Sequence, residues 1–495
     1  MKQTTVYILL LLLTACQSKD RLDMALEYAG DNRAELEKVL EHYRGDEMKY
    51  RAARFLIENM PYHFSSVEYF WKKGEEPYYP DITQHEDASA VSAHCDSLLS
   101  CGWTIRQEKL YDIQQIKATY LIQNIDLAFD VWHKPWDKDV SFDDFCRYIL
   151  PYRAQNEVLS SYRETLMQKY IHLLDSAQAE NTLDACKLIN KQLNKDIRYK
   201  ETGNPLSATI EETYRSGIGT CEALCNYTIS VMRSVGIPVA VQQTTWTRMD
   251  RGHVWCAVLY KGQFFDFNPG DIQPDKYQDI LVYYGHLKPA KVYRRNFEVH
   301  LPDTRLKDDG YVTYLKNPLL TDATQGQKQP VYTLKIPTDK KETNKKTVYL
   351  CAFNMCQWVP IAMGIQEDGY FQFNQVAGKN IFIVAEATGK HSLAYVSAPL
   401  LVEKDGSFRF LTPDSTHFIS HTFKSKPENL PYTLYYWDTS DKTFQTIPCT
   451  ASTDTTLYYQ QIPDNALLWY KSGYQKRGQA IGILINDEYV TCAQL

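Results

Sequence analysis

The chain is 495 residues long and carries 54 Lys and Arg against 60 Asp and Glu, a formal charge of −6 at pH 7. That length is enough for several domains. The acidic balance excludes a general nucleic-acid binder, which needs a net basic face, and twelve cysteines spread over this length are not a small disulfide-stapled scaffold.

The chain opens with Met1-Lys2, an apolar run over residues 7–13, and then Leu13-Thr14-Ala15-Cys16. The run is too short to span a bilayer, and the small residues before Cys16 read as a cleavage site, so residues 1–15 are predicted to be a signal peptide. Leu-x-Ala-Cys resembles a bacterial lipobox. That resemblance implies cleavage before Cys16, lipidation of the Cys16 thiol, and a polar tether over residues 16–20. Loss of Lys2 with the leader takes the formal charge to −7. The expected address is the bacterial cell envelope, lipid-anchored at the outer membrane. No later stretch is apolar for long enough to cross a bilayer.

Residues 21–178 read as a mainly helical region. Apolar residues at three- and four-residue spacing predict helices over 21–43, 47–60, 88–101, 108–132, 142–150 and 159–177, with another over 182–193. A charged, aromatic connection separates the second from the third, over residues 61–80. Trp132-His133-Lys134-Pro135-Trp136-Asp137 is expected to be a loop, its tryptophans packing anchors more than a cleft lining.

Residues 179–300 hold the chemistry. Gly217-Ile218-Gly219-Thr220 is a flexible approach to Cys221, and residues 222–234 carry helical periodicity until Gly236-Ile237-Pro238 stops them. Cys221 therefore falls on a helix's first turn, where free N–H groups and the positive dipole end favour a thiolate. The same N–H groups suit the oxyanion of a tetrahedral intermediate. Cys225, one turn on, reads as a helix residue and not as half of a zinc site; no second ligand cluster at metal spacing appears.

Strands are predicted over 239–246, 253–260 and 263–268, with a polar loop at 247–252 and a tight turn at Lys261-Gly262. A two-residue turn sets Tyr260 opposite Gln263, Ala257 opposite Asp266 and Trp255 opposite Asn268. On that register His253, Trp255, Asp266 and Asn268 share one face. Asn268 lies diagonal to His253 and is better placed than Asp266 to orient its ring.

Gly219-x-Cys221, His253-x-Trp255 and the hairpin ending in Asn268-Pro269 resemble the transglutaminase-like superfamily of papain-like folds, over roughly residues 180–285. The resemblance implies Cys221 as nucleophile and His253 as general base and then acid. The third member is usually an Asp before a Pro; here Asn268 fills that slot, with Asp266 as the substitute. An amide can also hold an imidazole tautomer. The family often places an aromatic or amide side chain in the oxyanion hole upstream of the cysteine, for which Tyr199 is the candidate against a core-packing role. Arg233 to Pro238 is similar to the family's helix-to-strand junction.

Beyond residue 300 short β runs alternate with polar turns. Those over 331–336, 347–353, 357–365, 370–373, 380–386, 393–397 and 407–411 predict a β-sandwich at 320–415. Runs over 432–437, 443–447, 456–461, 466–470, 480–485 and 488–492 predict a small jelly-roll-like domain at 425–495. Tyr435, Tyr436, Trp437, Trp469 and Tyr470 have the chemistry to stack on sugars, but strand alternation makes core packing the safer account. Cys95 with Cys101, and Cys351 with Cys356, are the candidate disulfide pairs. The charged stretch 340–346 reads as a solvated turn.

The expected fold is α+β: a papain/transglutaminase-like core preceded by a helical region and followed by β-sandwich domains. The expected activity is a cysteine hydrolase or acyltransferase acting on peptide or glycopeptide amides, without cofactor or metal. The rival is a non-catalytic surface protein that keeps the core as a scaffold and binds through its β-domains.

Overall fold

The computed structural model describes residues 20–277, 289–301, 303–338, 346–425, 431–453, 455–473, 481–486 and 488–495. The leader, Cys16 and most of the charged 340–346 stretch lie outside them. The fold is α+β, with helices concentrated towards the N-terminus and many-stranded sheets towards the C-terminus. Two compact units divide the chain. The first takes residues up to 241, 255–274 and 295–299; the second takes 242–254, 275–294 and 300–495.

The first unit begins with α1 (Arg21–Tyr28), α2 (Arg33–His42) and α3 (Glu47–Asn59). The single helix expected over 21–43 is broken at Gly30, whose φ of 57° lies in the left-handed region that glycine tolerates. Next come β1 (Phe64–Trp71), α4 (Ala88–Ser100), β2 (Thr104–Tyr111), α5 (Ala118–Val131) and α6 (Phe142–Tyr148). Leu36, Val39, Leu56, Ile57, Leu121, Ile125 and Phe145 form one core from α2, α3, α5 and α6. Each such side chain contributes about 1.5–3 kcal/mol on leaving water.

The helix expected over 108–132 starts late, because residues 104–111 pair antiparallel with 64–71, from Phe64 opposite Tyr111 to Trp71 opposite Thr104. The sequence of β2 shows no alternation because most of its side chains face solvent. Cross-strand contacts hold it instead: Arg106 lies 3.2 Å from the Trp71 ring centre and Lys109 4.7 Å from that of Phe64.

Beneath this ribbon Arg153 donates to both oxygens of Asp112 at 2.6 Å and to Ser65 Oγ at 3.1 Å, and Tyr152 donates to Asp112 at 3.0 Å. Both charged side chains are 1% exposed.

The 132–137 loop packs as expected. Trp136 is buried and donates through Nε1 to Val235 O at 2.8 Å, and Trp132 stacks on Phe145. Asp137 is buried as well, and burial pushes its carboxyl up to about 8. Between about pH 4 and 8 the folded chain thus holds a proton that the unfolded chain has lost. Stability falls as pH rises through that window, and the whole penalty is present above it. Asp137→Asn is expected to raise stability at pH 8.5 by on the order of 2 kcal/mol and to leave it unchanged at pH 4, measured by denaturant unfolding.

The remaining elements of this unit are α7 (Arg163–Ser176), α8 (Thr182–Asp196), β3 (Arg198–Tyr199), α9 (Ile210–Ser216), β4 (Ile218–Gly219) and α10 (Cys221–Ser234). From Ala223 onward α10 is buried on nearly every side, the mark of a helix at the centre of a core. Tyr170 of α7 joins it through a hydroxyl contact with Tyr227 at 3.1 Å. Strands β5 (Val239–Thr245), β6 (Gly252–Tyr260) and β7 (Gln263–Phe267) follow.

In the second unit, after the short strands β8 (Tyr293–Arg295) and β9 (Leu320–Asp322), come β10 (Val331–Pro337), β11 (Lys346–Asn354), β12 (Gln357–Glu367), β13 (Tyr370–Ala377), β14 (Asn380–Gly389), β15 (Ser392–Tyr395), β16 (Leu400–Val402) and β17 (Phe408–Phe410). They form an eight-stranded sheet ordered β10-β13-β12-β11-β14-β16-β17, with β15 also on β14. The chain continues through β18 (Asp414–Lys424), β19 (Tyr432–Asp438), β20 (Thr443–Ile447), β21 (Ala451–Ser452) and β22 (Thr456–Asp464). It ends with β23 (Leu468–Ser472), β24 (Gly482–Ile485) and β25 (Glu488–Thr491). These build a five-stranded sheet, β20-β19-β23-β24-β25, and a three-stranded one, β18-β22-β21.

One face of the large sheet gives Tyr349, Cys351, Ile381 and Ile383 to a core shared with Trp437, Trp469 and Ile483. The other face of the five-stranded sheet meets Phe423, Tyr459 and Ile462 through Leu434 and Leu468. Trp437, Trp469 and Tyr470 are accordingly buried, and Tyr435 and Tyr436 partly so. The eleven cysteines among the described residues are free thiols, those of both candidate pairs included.

Candidate active site

Cys221 is the first residue of α10, with Thr220 as N-cap. Elsewhere Asp46, Asp87, Ser141, Asn181 and Thr209 each accept from a first-turn N–H of the helix they precede. Thr220 makes no such side-chain bond. The approach is held from the side: β3 pairs in parallel with β4, with Tyr199 opposite Gly219, and Lys200 N donates to Gly219 O at 3.0 Å. A Cβ on Gly219 would lie 2.9 Å from that of Ala223, so this bend requires glycine.

Two cysteines one turn apart have opposite settings. Cys221 is partly exposed, whereas Cys225 is wholly buried, and burial beside the Cys256 thiol pushes its own thiol well up. A thiol held in its neutral form is a packing group. Glu222 shares the first turn with Cys221; burial, together with Glu157, pushes its carboxyl up, while Arg295 opposes that.

Tyr199 stands on β3, 62% exposed, and its hydroxyl donates to Glu201 at 3.1 Å. The core-packing account of Tyr199 is therefore wrong: the residue stands out beside the approach to Cys221.

From the turn as far as Cys256 the β6–β7 register is the expected one: Tyr260 opposes Gln263, Ala257 opposes Asp266 and Cys256 opposes Phe267, where the pairing ends short of Trp255 and Asn268. Asp266 is buried on β7, and Asn268 stands one residue past that strand's end. The loop after it is fastened to α8. Asn190 donates to Asn268 O at 3.2 Å and accepts from Gly270 N at 2.8 Å, and Asn194 donates to Gly270 O at 2.5 Å. Gly270 has φ 62°, and a Cβ there would meet Leu193 O at 3.0 Å. Asn190 is fully buried and escapes a sequence reading. Its one signal is an amide on the apolar face of α8, one turn before Asn194.

His253 is the second residue of β6 and is partly exposed. Its ring stacks on Trp246, with centroids 5.9 Å apart and planes 13° apart. Among the described residues no group of three or more His, Cys, Asp or Glu is arranged to hold a metal ion, and no helix is long and apolar enough to cross a membrane.

Comparison with known proteins gives a similarity over one segment of the chain. Residues 172–269 match the model described as the transglutaminase-like superfamily. No curated protein sequence matches the chain. Among solved structures, one described as a "Putative Cysteine Protease" from Cytophaga hutchinsonii is similar at 15% identity and TM-score 0.21, over 24% of this chain and 41% of that one. The chain thus spans less than half of that protein's length. Red sea bream transglutaminase is similar at 9% identity and TM-score 0.21, over 87% of this chain and 78% of that one.

Proposed function

We propose that the segment matching the transglutaminase-like superfamily is a cysteine hydrolase or acyltransferase domain, with Cys221 as its nucleophile. The observation that carries the reading is the contrast between Cys221, part-exposed at an uncapped helix start, and the buried Cys225 one turn later. The thiolate of Cys221 adds to an amide carbonyl, and the first-turn N–H groups take the oxyanion. His253 protonates the leaving amine, giving an acyl-enzyme, and then draws a proton from water so that hydroxide equivalent displaces the thiolate. Asn268 orients the imidazole, with Asp266 as the alternative, and Tyr199 assists at the oxyanion. Water is the favoured acceptor, since it is abundant outside the cell. Peptides or glycopeptides are the substrate class.

The proposed setting is the cell envelope, with Cys16 lipidated at the outer membrane. Incorporation of labelled fatty acid that persists in Cys16→Ala would reject the anchor.

The test of the activity is cleavage of peptide and glycopeptide libraries by wild type and Cys221→Ala. Cleavage by wild type with a loss of about 10³-fold or more in Cys221→Ala is expected. Equal rates would end the enzymatic reading. Asn268 in the usual Asp position favours one rival, a binding scaffold, which predicts no cleavage by either protein.

A further inference from the structure

We infer that Asn354, the last residue of β11, is a positioning residue for His253, an inference that rests on the Cys221–His253 reading. Two residues before His253 the chain leaves the loop 246–251, and Asn354 holds that loop with its whole amide group. Its Nδ2 donates to Trp246 O at 2.8 Å, Met249 O at 3.1 Å and Arg251 O at 2.8 Å. Its Oδ1 accepts from Arg251 N at 2.9 Å. Asn354 is 4% exposed, so water cannot substitute for these partners.

The loop needs such a clamp. Arg251 has φ 71°, a left-handed conformation unfavourable for a side chain of its kind. Asn354 binds both the N–H and the carbonyl of this residue, so the amide stabilises the backbone state that sets the entry into β6. The loop closes on itself through Trp246 N donating to Arg251 O at 3.1 Å. It is held at further points: Met355 N donates to Asp250 Oδ1 at 2.7 Å, Thr247 Oγ1 donates to Asn380 Oδ1 at 2.5 Å, and Arg248 Nη2 donates to Lys379 O at 2.8 Å. Trp246, one of the residues clamped by Asn354, is the residue whose ring stacks on His253. The sheet of the second unit thereby fixes both the backbone ahead of the histidine and the ring against its face. On this account that sheet is part of the catalytic apparatus, acting through position and touching no substrate.

The experiment compares wild type, Asn354→Ala, Asn354→Ala with Arg251→Gly, and His253→Ala. The readouts are the pH midpoint of Cys221 alkylation by iodoacetamide, and kcat and KM on a cleaved peptide. Asn354→Ala is expected to raise the midpoint toward that of a free thiol and to lower kcat by about 10- to 100-fold with little change in KM. Arg251→Gly, which is at ease at positive φ, is expected to restore part of both. A folded Asn354→Ala protein with the wild-type midpoint and kcat overturns the inference.

If His253→Ala also leaves the midpoint unchanged, the Cys–His reading itself fails. If it moves the midpoint and Asn354→Ala does not, only the positioning role fails. Should Asn354→Ala not fold, Asp250→Ala removes the Met355 anchor alone. A smaller midpoint shift in the same direction then supports the inference, and an unchanged midpoint overturns it.

Discussion

His253→Ala is expected to abolish selective alkylation of Cys221 below pH 7 and to cut amide cleavage by about 10³-fold. The sign follows from the chemistry of the thiol. An imidazolium beside a sulfur stabilises the thiolate, so the reactive form persists to lower pH than in a free cysteine of pKa about 8.5. Without the ring, the helix start alone acts on the sulfur, and the alkylation midpoint moves up. The measurement is site-resolved: Cys101 and Cys449, both exposed, serve as internal references for an unactivated thiol. Equal labelling of Cys221 and these two in wild type would favour the binding scaffold. In the same assay Asn268→Ala is expected to be more damaging than Asp266→Ala.

The second large effect is structural. Arg153→Leu is expected to destabilise the first unit by about 3–5 kcal/mol, read as a lower urea midpoint, because it leaves the Asp112 carboxyl buried without its partner. Asp112 and Arg153 are each 1% exposed, so solvent cannot compensate for the lost bonds. Arg153 also donates to Glu157 O at 2.7 Å, tying down the segment that follows α6. The double variant Asp112→Leu with Arg153→Leu should recover much of the loss, since the unpaired buried polar group, more than the missing bond, sets the cost. A double variant as unstable as the sum of the two single ones would show that the pair matters through packing instead.

The local structure around the candidate site was legible in the amino-acid sequence because it depends on short-range rules. Helical periodicity after Cys221, stopped by Gly236-Ile237-Pro238, placed the cysteine at a helix start, and α10 begins at that residue. Side-chain alternation and a two-residue turn determined the β6–β7 register from Tyr260 opposite Gln263 onward. The same alternation favoured core packing over sugar stacking for the five aromatics at 435–437 and 469–470, of which Trp437, Trp469 and Tyr470 are buried.

What the sequence left open depends on partners far along the chain. Nothing within residues 104–111 announces a strand; the pairing with residues 64–71 makes it one, overriding the helical pattern at its end. Tyr199 is unusual among large aromatic residues in standing exposed, because a two-residue strand beside β4 offers it no core to enter. Asn190 and Asn354 carry no sequence motif, yet each secures a loop that follows or precedes a candidate catalytic residue, across 78 and 103 positions of chain. A buried amide declares its role only when its partners are known, since hydrogen-bond satisfaction is a property of the packed interior and not of local sequence.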